Sequence, residues 1–214
     1  MSYGKVHRNV AGMVKPPKCP STKLDDSLSA REAEAVMTAA RGDRLEALAV
    51  IFLTLGLRQM EGFRLRWEDV NLKLGTLAVG EAKSHSGQRT LELPSFLVEV
   101  ITAHKAAQDA ERAAGHLWED AGLVFPDELG QPYSPNRALR WWHRLTVAAG
   151  LGHRRQHASR HTAATLMLER GVPLEVISKL LGHASYAITA DLYAKVKPQA
   201  MRDAVDSLAD IFTS

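Results

Sequence analysis

Two short stretches with the alternation of a strand interrupt a chain whose other apolar residues repeat at helical spacing. Gly75 to Gly80 and Arg89 to Pro94 alternate apolar and polar residues, and Ser86-Gly87 between them is a turn signal. A strand places successive side chains on opposite faces, so each stretch presents one apolar face to a core. The combination predicts a small β-hairpin set into an otherwise helical domain.

The helical segments carry their own boundaries. Pro16, Pro17 and Pro20 forbid regular helix near the N-terminus, and residues 1–27 read as a tail or linker. Ser29 with Glu32 is a capping-box pair for a helix to about Ala40, and Asp43 with Glu46 predicts the same for an apolar helix over 44–55. A turn at Gly56 leads to a short helix over 59–66. After the hairpin, residues 95–114 return to helical spacing, and Gly122 to Phe125 reads as extended. Ser134-Pro135 opens a further helix with proline at its first position. Arg160 to Glu169 and Leu174 to Leu181 follow, closed by Gly171 and Gly182. Met201 to Phe212 is amphipathic. The expected fold class is mainly α with a small antiparallel β-sheet (α+β), in one domain over residues 28–214.

Charge distribution narrows the partner. The formal net charge is only +3, yet Gln131 to Leu168 contains no Asp or Glu. Arg137, Arg140, Arg144, Arg154, Arg155 and Arg160 all fall there, with His143, His153, His157 and His161. A stretch of one sign that long suits phosphates, although a solvated basic face would look the same. The single cysteine, Cys19, excludes an internal disulfide and a cysteine metal cage, and fits a reducing cytoplasm. The N-terminus lacks the apolar run of a secretory signal. The apolar run Leu45 to Leu57 is too short to span a bilayer, so no membrane is expected as a partner.

Breaking a phosphodiester without a metal requires a nucleophile, cations around the non-bridging oxygens and an acid for the leaving oxygen. Arginine suits the second task because its planar fork grips two phosphate oxygens. Four places offer these types. Arg58 follows a glycine turn at the end of an apolar helix, although a surface pair with Glu61 would also explain it. Lys83 lies in the hairpin, where a lysine is ordinarily just solvated. His157 and Arg160, three apart at a helix start, lie on one face. A metal site on His153, His157 and His161 is a rival reading, but no carboxylate in that stretch would complete it and the arginines repel a cation. Last, His183 follows a helix-ending glycine, with Tyr193 ten residues on. Alone, Tyr193 reads as a core tyrosine.

In order, these places resemble the boxes of the tyrosine recombinase, or phage integrase, family. Gly56-Leu57-Arg58-Gln59-Met60-Glu61 is similar to its first arginine box, continued by Leu65 to Val70. Lys83-Ser84 ahead of Arg89-Thr90 resembles its β-hairpin lysine segment. His157-Ala158-Ser159-Arg160-His161 resembles its His-x-x-Arg box, and Leu181-Gly182-His183 with Tyr193 the closing box. The resemblance covers about residues 28–200. Ser159 departs from it, since the family usually carries leucine there. Tyr186 lies too near His183 to match the nucleophile.

The resemblance implies that Tyr193 attacks the scissile phosphate to give a 3′-phosphotyrosine and a free 5′-hydroxyl. It implies that Arg58 and Arg160 stabilise the transition state and Lys83 protonates the leaving oxygen. His157 would assist proton transfer, His183 would donate to a non-bridging oxygen, and Glu61 would orient Arg58 or its helix. Neither metal nor cofactor is implied. Arg137, Arg140, Arg144, Arg154 and Arg155 are the candidate DNA contacts. The partners expected are double-stranded DNA, further copies of the chain in a tetramer on DNA, and accessory bending or directionality proteins. The setting is a bacterial or phage integrase in the cytoplasm.

Full-length members carry an N-terminal core-binding domain, so residues 1–27 are expected to be the junction to one that is missing, in an excised piece or a truncated product. Two other activities fit the same residues: type IB topoisomerase-like relaxation, and a non-catalytic DNA-binding remnant. The helix over 201–212 would dock on a neighbouring copy or on its own core.

Overall fold

A computed structural model describes residues 27–80, 88–115 and 117–182. Helix α1 (Ala30–Ala39) starts where expected: the Ser29 hydroxyl accepts from the Glu32 N–H, and the Glu32 carboxylate accepts from the Ser29 N–H. Ahead of it, the Leu28 N–H donates to the Thr162 hydroxyl at 2.7 Å, which ties the start of the fold to a distant helix.

Helix α2 (Glu46–Leu55) is the centre of the core. Seven of its ten residues are buried, from Ala47 to Leu55. It packs against α1, against α3 (Gln59–Phe63), against α4 (Ser95–Ala114) and against α6 (His157–Glu169). A helix apolar on nearly every side can only be a central one. It begins two residues later than the expected 44. Asp43 is the reason: its carboxylate accepts from the Leu45 N–H at 2.7 Å and the Trp141 indole N–H at 3.1 Å, while Glu46 takes the Gly42 N–H. Those bonds spend the would-be capping box on a tight turn.

Helix α3 stops at Phe63 instead of 66, because the chain beyond it turns extended. Leu65 and Trp67 exchange backbone bonds with Val124 and Gly122, the short extended piece expected from the sequence. The hairpin is present as β2 (Thr76–Val79) and β3 (Arg89–Glu92), antiparallel with Leu77 opposite Leu91 and Val79 opposite Arg89. A third strand, β1 (Val70–Asn71), pairs with β2. Two residues are too few to show an alternation, so the sequence carried no sign of it.

Helix α5 (Pro135–Ala148) has Pro135 at its first position, and the Ser134 hydroxyl accepts from the Arg137 N–H. It turns Trp141 and Trp142 inward, where Phe52, Phe63 and Tyr133 complete an aromatic cluster. Phe52 meets Trp142 edge-on, with ring centroids 6.2 Å apart. Helix α6 starts at His157, not Arg160, so the whole His-x-x-Arg segment is helical. Helix α7 (Leu174–Leu181) opens after Pro173 and ends at Gly182, whose φ of 66° is the left-handed cap that glycine takes without strain. Among the described residues, no helix is long and apolar enough to cross a membrane.

Candidate active site

Helices leave their last carbonyls without a helical partner, and the negative end of the dipole lies there too. At the end of α7, three arginines from separate parts of the chain meet three consecutive carbonyls. The Arg89 Nε donates to the Leu180 carbonyl at 2.7 Å. One terminal nitrogen of Arg160 donates to the Leu181 carbonyl. A terminal nitrogen of Arg58 donates to the Gly182 carbonyl at 3.0 Å. The other terminal nitrogen of Arg160 donates to the Gly56 carbonyl at 2.8 Å, so the turn that ends α2 and the turn that ends α7 are joined through one side chain.

Among the described residues, one carboxylate binds two of these cations. Glu61 accepts from the Arg58 N–H at 2.9 Å, the Arg58 guanidinium at 2.7 Å and the Arg89 guanidinium at 3.0 Å. Burial would push the Glu61 carboxyl up. The Arg89 hydrogen bond and charge, with the Arg58 N–H and guanidinium, outweigh it and hold the group at about 2. Arg160 has less help: among the described residues its side-chain hydrogen-bond partners are the two carbonyls, and the residue is only 2% exposed. Burial chiefly, then the charges of Arg58 and Arg89, push it down to about 10 against the opposing pull of Glu61. It stays protonated at neutral pH.

Gly56 allows this geometry. Its φ is +62°, and a Cβ there would sit 2.7 Å from Leu181 Cδ2 and 3.2 Å from Ala163 Cβ. Only a residue without a side chain lets α2, α6 and α7 come so close.

The other expected site residues fall as follows. His157 is exposed in the first turn of α6 and meets His161 edge-on, with ring centroids 4.7 Å apart. His153 stacks instead on His143, which splits the histidines of the rival metal reading into separate pairs. Arg140, Arg144 and Arg155 are exposed. Arg137 is bound by Asp127 at 2.7 Å and by Glu128, over the Tyr133 ring. Those two carboxylates balance its charge within the chain, a role the one-sign stretch concealed because both lie just before it. Arg154 reaches Glu32 at 3.3 Å. Lys83, His183, Tyr193 and the segment 201–212 lie outside the described residues. The paired ends of β2 and β3 bracket the stretch that carries Lys83, and His183 follows Gly182 directly in the chain.

The sequence profile of the phage integrase family matches residues 26–200. The chain belongs to the phage integrase family. A tyrosine recombinase XerC-like protein of Caldanaerobacter subterraneus subsp. tengcongensis is 32% identical over 225 residues, which cover 92% of this chain and 58% of that protein. An integrase of Streptomyces ambofaciens is 34% identical over 226 residues, 96% of this chain and 58% of that one. The crystal structure of XerA recombinase superposes with a TM-score of 0.73 at 26% identity, over 90% of this chain and 66% of that one. The Tn1549 transposon integrase, solved with transposon right end DNA, shares the fold with a TM-score of 0.70 at 19% identity, over 95% of this chain and 71% of that one. The phage integrase-family chain thus spans about 58% of the length of the two curated relatives.

Within this family member, Ser159 has a local explanation. It is fully buried, its hydroxyl donates to the Gln156 carbonyl at 2.9 Å, and it accepts from the Gln156 side-chain amide at 3.2 Å. The two polar residues satisfy each other in the core at this position. Arg89 is the site residue that sequence reasoning passed over. The signal was present: Arg89 and Leu91 share one face of β3, and Leu91 is buried. A charge on the inward register of a half-buried strand must have a partner.

Proposed function

We propose that this chain is the catalytic part of a site-specific DNA recombinase that cuts and rejoins strands through a 3′-phosphotyrosine. The observation that carries the reading is Arg160. Its guanidinium is buried, and among the described residues its hydrogen-bond partners are neutral carbonyls. A buried cation without a carboxylate partner is unfavourable unless an anion completes it. Bonds to the described residues occupy two of its five N–H groups, and a phosphate fits the remainder. Glu61 leaves that place open because Arg58 and Arg89 already bind it.

In the proposed step, the Tyr193 oxygen attacks phosphorus as its phenolic proton leaves to a neighbouring base or water, the bond to the 5′-oxygen breaks, and Lys83 supplies the proton that the leaving oxygen takes. Arg58 and Arg160 balance the charge that builds on the non-bridging oxygens. His183 donates to one of them and His157 assists the proton transfer. The reverse step, with a different 5′-hydroxyl, rejoins the strand. Double-stranded DNA is the proposed substrate, in line with solved relatives of the fold bound to DNA. Arg140, Arg144 and Arg155 are its proposed contacts. Action in the cytoplasm, as a tetramer on DNA with accessory bending or directionality proteins, completes the reading.

A nicked DNA that releases the cut strand tests it. The chain is expected to form a covalent protein–DNA adduct on denaturing gels, and Tyr193→Phe to abolish it. An adduct that persists in Tyr193→Phe would refute the nucleophile.

A further inference from the structure

Arg89 holds two parts of the site at once. Its Nε faces the Leu180 carbonyl at 2.7 Å and its terminal nitrogens face Glu61 at 3.0 and 3.4 Å. Its side chain is 8% exposed and that of Glu61 is 15% exposed, while that of Arg58 is 46% exposed. The rigid end of the network is therefore Arg89 and Glu61, and the solvent-facing end is Arg58. Gly182 marks how close this packing is: a Cβ on it would lie 2.8 Å from an Arg89 terminal nitrogen.

We propose that Arg89 is a positioning residue of the cleavage site, which sets the Arg58 guanidinium through Glu61 and the end of α7 through the Leu180 carbonyl. The proposal rests on the cleavage reading above. Arg89 does not touch the phosphate; Arg58 does. Without Arg89, the Glu61 carboxylate is shared with one guanidinium instead of two and rotates toward it, and the Leu180 carbonyl loses its donor. Both movements shift the plane in which Arg58 presents its remaining N–H groups. Arginine is required because the bond through Nε and the bonds through the terminal nitrogens point in fixed, separate directions, whereas a lysine offers one point charge.

The chemistry supplies a readout that a merely structural residue would not move. A DNA whose scissile phosphate is replaced by a neutral methylphosphonate lacks one of the charges that Arg58 balances. Single-turnover cleavage by the full chain is measured on the phosphate and on the methylphosphonate nicked DNA, for the wild type, Arg58→Ala, Arg89→Ala and Arg89→Lys. Misplacing a charge-stabilising group slows such a step by about 10- to 100-fold. Arg89→Ala is expected to lose that much on the phosphate and less than about threefold on the methylphosphonate, in parallel with Arg58→Ala. Arg89→Lys, which keeps the charge, is expected to show the same discrimination. Equal loss on both substrates, or no loss on either, overturns the proposal and leaves the cleavage reading intact. A wild type without a Tyr193-dependent adduct overturns both. Thermal melts check folding at the assay temperature. If neither Arg89 variant melts cooperatively, Arg89 is a folding residue and the proposal falls.

Discussion

Glu61 binds two guanidinium groups, and its protonation is tied to folding. Its folded pKa of about 2 lies below the ordinary 4.5, so the unfolded chain binds its proton more readily. The stabilisation is then complete above pH 4.5 and is lost as the pH falls toward 2. The shift corresponds to about 3 kcal/mol. Glu61→Gln is expected to lose about that much stability at pH 7, with the gap to the wild type closing between pH 5 and 2. Urea unfolding of both proteins across that range checks it, and a gap that stays constant with pH would contradict the role of the ionised carboxylate. Arg160 behaves in the opposite way. Its burial brings it down to about 10, but the charge survives at pH 7, so it remains available to an anion.

Among the elements, the turn at Gly56 does the most to position the site. It lets α2 end against α6 and α7, and its carbonyl receives Arg160 at 2.8 Å. Gly56→Ala would add a Cβ to a left-handed residue and press it against Leu181 and Ala163. The expected cost is about 2–4 kcal/mol, from left-handed strain plus overpacking. Thermal unfolding is expected to show it as a lowered Tm, and an unchanged Tm would mean that α7 can move away freely. The hairpin is the second such element. The strand alternation was legible, and so was the proline at the start of α5. The start of α2 was not, because the pull of Trp141 and Leu45 on Asp43 comes from the turn's own geometry and from a helix far along the chain. Nor was the polar pair of Gln156 and Ser159, whose mutual bond becomes visible only when both side chains are buried.

Over the whole molecule, the contacts around the ends of α2 and α7 join residues 124, 104 and 91 positions apart in the chain. Their assembly therefore depends on the complete fold around α2. DNA binding belongs to this scale as well. The net charge is +3, and the exposed cations of the one-sign stretch, Arg140, Arg144 and Arg155, are few. Each neutralised phosphate contributes a slope of about −0.9 in log affinity against log salt. This chain alone is expected to bind DNA weakly, with a Kd of about 10⁻⁴–10⁻⁶ M near physiological salt, and with steep salt dependence. Arg144→Ala is expected to reduce the slope by about 1. Fluorescence anisotropy over a salt series measures both. A nanomolar, salt-independent affinity would sink the expectation.

The amino-acid sequence by itself determined the family, the helical domain with its hairpin, and the chemistry on offer. Those depend on residue type and on spacing along the chain, which local periodicity and the order of motifs preserve. Only the tertiary structure decided which charges are already balanced. Arg137 is bound by Asp127 and Glu128, Glu61 is shared by Arg58 and Arg89, and Arg160 is held by carbonyls alone among the described residues. Pairing depends on distances of about 3 Å between atoms far apart in the chain. Composition and order carry no record of such distances.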